Sequence, residues 1–161
     1  MATTHSFKNV VKRYEKFRRE LPKVIGNTAV NFAKDNFRKQ GFQDGGVERW
    51  KKRQQRDTGR AILVKTGALK RSIRVTRTTR NRVWIGSDRP YAKIHNEGGR
   101  ITSTARVRQQ TRRTRAGRTS VGAHTRQMNT NIPQRQYIGA SKELNRRIRR
   151  TIRNRLRTVL R

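Results

Sequence analysis

The sequence predicts an α+β fold in which a small antiparallel sheet packs against N-terminal helices and a C-terminal helix, with a long basic arm. Three observations predict it. Apolar residues recur every three or four positions over residues 5–40 and again after residue 142, the period of amphipathic helices. Apolar and polar residues alternate around residues 73–87, the period of strands. From Gly98 to Lys142 there is no acidic residue, and large apolar side chains are scarce over residues 100–131.

Residues 5–21 place Phe7, Val10, Val11, Tyr14, Phe17 and Leu21 on one helical face, with Ser6 as a candidate cap. Pro22 suits a first helical turn, so a second helix is expected from there, burying Ile25, Ala29, Phe32, Ala33 and Phe37. The two form a helical pair over residues 5–40. Their Phe stripe reads as core; the alternative is a partner-binding face. Residues 38–60 show neither period and read as a loop anchored by Trp50, which packs on the sheet or, alternatively, stacks on a base.

Residues 61–99 form the hairpin core. Thr66 precedes Gly67, Ala68 and Leu69 and can cap one turn of helix over 66–71. Ile73 and Val75 alternate with Arg74 and Thr76. Thr79 to Arg82 permits a turn, and Val83 to Ser87 returns as the second strand, with Val83 and Ile85 on one face and Trp84 on the other. Pro90 ends that strand. Tyr91, Ala92, Ile94 and His95 then have the spacing of a short helix closed by Gly98 and Gly99.

Residues 100–131 carry Arg100, Arg106, Arg108, Arg112, Arg113, Arg115, Arg118 and Arg126. Too little apolar surface is present to offset the entropy of ordering, so this segment is expected as a mobile arm or a long extended hairpin that settles against a partner; a solvated loop is the alternative. Residues 132–161 supply a last strand at Tyr137–Gly139 and a final helix capped by Ser141, with Glu143 in its first turn. Leu144, Ile148, Ile152, Leu156, Val159 and Leu160 form its stripe, placed to cover the sheet. Arg146, Arg147, Arg150, Arg153 and Arg157 lie opposite, and Arg155 falls within the stripe.

The composition narrows the function. A chain of 161 residues supports a single domain with a modest core, and only 30% of this one is hydrophobic. Its 43 Lys and Arg against 9 Asp and Glu give a net charge of +34, so it repels itself and should seek a polyanion or an acidic surface. There is no cysteine, which excludes disulfides and thiolate metal sites. No apolar run approaches the ~18 residues of a membrane span, and the N-terminal MATTHSFKNVVKRY lacks the apolar core of a signal peptide, so synthesis in the cytoplasm is expected. Catalytic patterns are missing. His95-Asn96-Glu97 has the His-x-Glu spacing of zinc deaminases without their cysteine pair, His5, His95 and His124 lie in separate segments, and the glycine pairs at 45–46 and 98–99 lack the lysine of a phosphate loop. The sequence therefore implies no enzyme, cofactor or metal.

A set of short motifs lies in order along the chain: Leu63 and Val64 with Thr66, Gly67 and Leu69; Ser72 and Ile73; Ile85, Gly86 and Ser87; Tyr91 and Ala92 with His95 and Gly98; and Arg135 to Gly139 with Ser141. Together they resemble the phage virion morphogenesis or tail-completion family, which includes the Mu-type morphogenesis protein and is related to the small neck proteins of long-tailed phages. The arginine-rich insertion between Gly99 and Ile132 departs from that pattern. The resemblance implies a structural virion protein at the head–tail junction or proximal tail end, assembled in the host cytoplasm as a homo-oligomeric ring, hexameric or dodecameric. Its partners would be neighbouring connector, tail-terminator or tail-tube proteins, and packaged double-stranded DNA held by charge without base reading.

A second reading, favoured by composition, is a ribosomal or other basic RNA-binding protein. The aromatic residues, however, are mostly spent on helical stripes, and no base-stacking platform or RNA-binding module is evident.

Overall fold

A computed structural model of the protein describes residues 2–53, 59–115 and 117–160. The chain is mixed α+β. Helix α1 (Ala2–Lys39) is followed by the β1 (Gly41–Asp44) and β2 (Gly46–Arg49) hairpin, helix α2 (Ala68–Ser72), and the β3 (Arg74–Thr78) and β4 (Val83–Gly86) hairpin. Then come α3 (Ala92–Glu97), strands β5 (Gly99–Val107), β6 (Gln110–Thr114), β7 (Gly117–Val121) and β8 (His124–Ile132), and helix α4 (Lys142–Leu160). The strands make four separate antiparallel pairs, β1–β2, β3–β4, β5–β8 and β6–β7.

The expected helical pair is one helix. Pro22 lies inside α1 and removes one backbone donor, but burial continues on both sides of it, through Phe17 before and Ala29, Phe32, Ala33 and Phe37 after. Tertiary packing overrides the local break. Ser6, expected as a cap, falls within α1, and its side chain lies outside the described residues. The start of the apolar stripe is not core: Phe7, Val11 and Tyr14 are exposed. Helix α4 runs antiparallel to α1, with Arg147 against Asp35 and Arg155 against Glu20. Its last turn shares a cleft with Arg13 and Lys16, so the turns of α1 before that point overhang.

The 38–60 segment is not a plain loop. Asp44 and Gly45 form the turn of a hairpin, with Gly45 at φ 76° and Gly46 paired to Asp44. Phe42 and Gln43 of β1 are buried. Residues 54–58 of the expected loop lie outside the described residues. Trp50 is the anchor, but it packs on a helix instead of a sheet: its ring meets Phe37 edge-on at 5.4 Å, and Nε1 donates to the Gln136 carbonyl at 2.8 Å.

The hairpin at the centre of the chain forms as its alternation dictates. Val75 pairs with Ile85 and Thr78 with Val83, with an irregularity between Val75 and Arg77. Val83 and Ile85 are half-buried, and Trp84 is exposed beneath the Arg77 guanidinium. This hairpin lies tight against α1 at Gly26, where an added Cβ would come within 2.7 Å of Val75 Cγ2 and 3.0 Å of Val83 Cγ1.

No last strand forms at Tyr137–Gly139. The amides of Tyr137 and Ile138 both donate to Asn96 Oδ1 at 3.0 Å, and the Tyr137 carbonyl accepts from Asn36 Nδ2 at 3.1 Å. Side-chain amides do there what a ladder would have done. Helix α4 follows with Ser141 as its cap, its Oγ accepting from the Leu144 amide at 3.0 Å and donating to the Gln43 carbonyl at 2.6 Å. The helix lies on α1 and β1, and its apolar stripe is only half-buried. Leu160 is 63% exposed: steps of four residues drift about 40° per step around a helix, which carries the last leucine off the stripe.

Ala33, Phe37, Trp50, Leu69, Ile73, Ala92 and Tyr137 make the central core cluster. Leu69→Ala should destabilise the protein by ~2–5 kcal/mol. Ile85→Ala, at a half-buried position, should cost clearly less. Urea unfolding of both variants checks this, and equal losses would contradict the packing.

Candidate functional site

The residues singled out in the sequence separate into two groups. Leu63, Leu69, Ile73 and Tyr137 meet in the core. Thr66 and Gly67 start α2: Thr66 Oγ1 accepts from the Ala68 amide at 3.3 Å, and Gly67 sits at φ 73°, where a side chain would be strained. Ser72 donates to the Leu69 carbonyl at 2.8 Å and shares a 2.6 Å contact with Ser87. Ile85 and Gly86 belong to β4. A Cβ at Gly139 would meet the Gln136 side chain. These motif residues build the body of the fold. Tyr91 is exposed and stands edge-on to the His95 ring.

The eight arginines of residues 100–126 lie on, or in the short connections of, a two-stranded ribbon with the strand pairing of an extended hairpin. Nine residues of β5 pair with β8, from Gly99↔Ile132 to Val107↔His124. Five of β6 pair with β7, from Gln110↔Val121 to Thr114↔Gly117. Ala116, at the tip, lies outside the described residues. At roughly 3.3 Å per residue the ribbon reaches at most about 55 Å.

Strand alternation gives the ribbon two unlike faces. On the β5–β8 ladder, Ile101, Ala105, Val107, Met128 and Ile132 share one face with Ser103, Thr130, Arg126 and His124, while Arg100, Thr102, Thr104 and Arg106 share the other, wholly polar face with Asn131, Asn129, Gln127 and Thr125. Thr102 Oγ1 donates to Asn129 Oδ1 across it at 2.9 Å. Near the tip Arg113 and Arg118 are direct cross-strand partners. Two like charges placed opposite one another destabilise a ladder. All eight arginines are exposed, and among the described residues none meets a carboxylate.

The root of the ribbon is tied to the body by hydrogen bonds. Gly98, at φ 76°, closes α3 by donating its amide to the Ile94 carbonyl at 2.9 Å. A Cβ there would lie 2.8 Å from the Gln134 amide nitrogen of the returning chain. The Arg135 amide donates to the His95 carbonyl at 2.9 Å, and its buried guanidinium donates from Nε and Nη2 to the Lys51 carbonyl at 3.2 Å. Burial, with the neighbouring Arg53 charge second, pushes the Arg135 pKa down. His95 is held below its ordinary value of 6.5 by burial first and by the Arg135 charge second, and among the described residues its Nδ1 finds no hydrogen-bond partner.

The sequence reading did not single out Asn36 and Asn96, the two side chains that clamp the Tyr137 segment. The only sequence signal was their place on helical stretches next to apolar positions. Among the described residues no group of three or more His, Cys, Asp or Glu is placed to hold a metal ion, and no helix is long and apolar enough to cross a membrane.

The model of the phage virion morphogenesis family matches residues 2–157, from the start of α1 almost to the end of α4. The chain belongs to the phage virion morphogenesis family. A general role in assembling the virion follows from that membership. Searches of curated proteins and of solved structures return no match. The arginine ribbon follows α3 in the chain and lies outside the core cluster.

The His95 environment sets a pH dependence. Its folded pKa is depressed, so the unfolded chain takes up a proton at a higher pH than the folded one. The stability this contributes is full above 6.5 and is lost as pH falls through the lower folded value. The Tm should therefore drop between about pH 7 and pH 5, and His95→Gln should flatten the drop. An unaltered profile in that variant would assign the acid sensitivity to other groups.

Proposed function

We propose that this protein is a tail-completion or head–tail joining (neck) component of a tailed phage, assembling as a homo-oligomeric ring, hexameric or dodecameric, around the DNA path. The observation that carries this reading is the ribbon of β5 to β8, an acid-free projection on a protein of charge +34. A two-stranded ribbon is marginal alone in water and gains order from a surface to lie on. Within a family of virion assembly proteins, such a surface is offered by neighbouring subunits of the particle.

In this role the ribbon presents Arg100, Arg106, Arg108, Arg112, Arg113, Arg115, Arg118 and Arg126 to negative charge, either the phosphates of packaged DNA or acidic surfaces on connector, tail-terminator or tail-tube subunits. Either contact is electrostatic and blind to base sequence. The competing role of a ribosomal or RNA-binding protein is disfavoured by where the aromatic rings go: Phe37 packs edge-on against Trp50 and tilted against Tyr137 in the core, away from any base. The exposed rings, Phe7 and Tyr14 on α1, Trp84 on β4 and Tyr91 at the start of α3, are spread over separate elements and do not line one sheet face.

Gold labelling of intact particles, viewed by electron microscopy, tests the placement. Label confined to the head–tail junction or proximal tail end is expected. Protein that sediments with ribosomes, with none on particles, would overturn the reading. For the ribbon, replacing Arg112, Arg113, Arg115 and Arg118 by Gln is expected to leave a folded protein that fails to join heads to tails. Normal joining by this variant would remove the ribbon from the mechanism.

A further inference from the structure

Helix α4 carries a second basic surface that is independent of the ribbon. Lys142, Arg146, Arg149, Arg150, Arg153 and Arg157 are all exposed. At 100° per residue they fall within about 100° of one another and run along about 22 Å of helix. The half-buried stripe of Leu144, Ile148, Ile152 and Leu156 occupies the adjoining arc of the helix, which packs toward α1.

The acids near this helix are already engaged. Glu143 accepts from Arg147 Nε at 2.9 Å and from Arg146, and Asp35 accepts from Arg147 Nη1 at 2.7 Å. The hydrogen bond from Arg147, opposed by burial and reinforced by the bond from Arg146 and by both charges, holds the Glu143 carboxyl below its usual range, so it stays ionised and satisfied. Among the described residues Arg149, Arg150, Arg153 and Arg157 meet no carboxylate.

From this arrangement we infer that the outer face of α4 is a binding surface for the phosphate backbone of duplex DNA. A DNA strand presents one phosphate per roughly 3.4 Å, so about six face a 22 Å row. The helix is held before any ligand arrives, by the Ser141 cap, by the Arg147–Asp35 pair and by the Arg147 guanidinium over the Phe32 ring at 5.5 Å. Binding then orders only side chains. The face contains no aromatic residue, so it offers a single strand nothing to stack on. It also lacks the apolar centre of a protein–protein interface, since its one large apolar residue, Leu160, sits at the very end. A regular polyanion fits this face better than an acidic protein. The inference rests on the reading that DNA passes through the assembled ring and assigns the DNA contact to α4.

The test is the salt dependence of binding between the full-length protein and short duplexes of two unrelated sequences. With Arg149, Arg150, Arg153 and Arg157 replaced by Gln, the slope of log K against log salt is expected to fall by about 0.9 for each phosphate no longer neutralised, about 3.6 in all, equally for both duplexes. Lysine at the same four positions should preserve the slope, and helicity and Tm should be unchanged in both variants. A slope unaltered by glutamine, or reduced equally with lysine, would overturn the assignment. So would a glutamine variant that loses poly-glutamate binding yet keeps its DNA binding. Particle labelling is a separate measurement: label at the junction with an unaltered slope removes this surface alone, whereas a reduced slope with no label on particles removes only the placement.

Discussion

The structure depends on how Tyr137 is held. Its ring is 1% exposed and packs on Phe37 at 5.0 Å, its hydroxyl donates to the Ala92 carbonyl at 2.8 Å, and its backbone is gripped by Asn36 and Asn96. One residue thus joins α1, α3 and the segment leading to α4. Asn36 is itself fully buried and accepts from Gln43 Nε2 at 2.8 Å, which ties β1 into the same network. Buried amides are tolerated because each finds its partner, and a network in which every member is satisfied fixes one arrangement of the elements around it. Burial, with nearby Tyr91 second, also pushes the Tyr137 hydroxyl up to about 12, so it remains a donor at any ordinary pH.

A charge of +34 works against such a compact body. Four of the described acids hold elements together: Asp35 and Glu143 on Arg147, Asp44 on the first amide of α4, and Asp88 on Arg74. With these acids committed to the body, the ribbon and the outer face of α4 are left as two separate regions of uncompensated positive charge. One is a slender projection and the other a rigid helix, so they suit different tasks.

Much of this was legible in the sequence because it depends on period and punctuation. The β3–β4 hairpin followed from the alternation of Ile73 to Thr76 and Val83 to Ser87, and the start of α4 from Ser141 and Glu143. What was not legible depends on contacts distant in the chain. Pro22 marks a boundary locally, yet α1 runs through it because Phe17 and Phe32 are buried on either side. Tyr137-Ile138 has strand composition, but its amides are taken by Asn96, some forty residues earlier. The β1–β2 hairpin had a signal in Asp44-Gly45, obscured by the charges around it. For the functional surfaces, the basic ribbon was visible as an acid-free run, whereas the α4 face needs the structure to show which arginines are already engaged.

The root of the ribbon has a wider consequence. The chain leaves the body at Gly98 and returns at Arg135, with Gly99 and Ile132 paired between them, so everything beyond that pair is, for the body, a single closed excursion. The entropy of closing such an excursion grows only slowly with its length, by about 0.6 kcal/mol per doubling. Its sequence and reach can therefore diverge without disturbing the core around Tyr137. The same body can carry different ribbons while the scaffold stays constant.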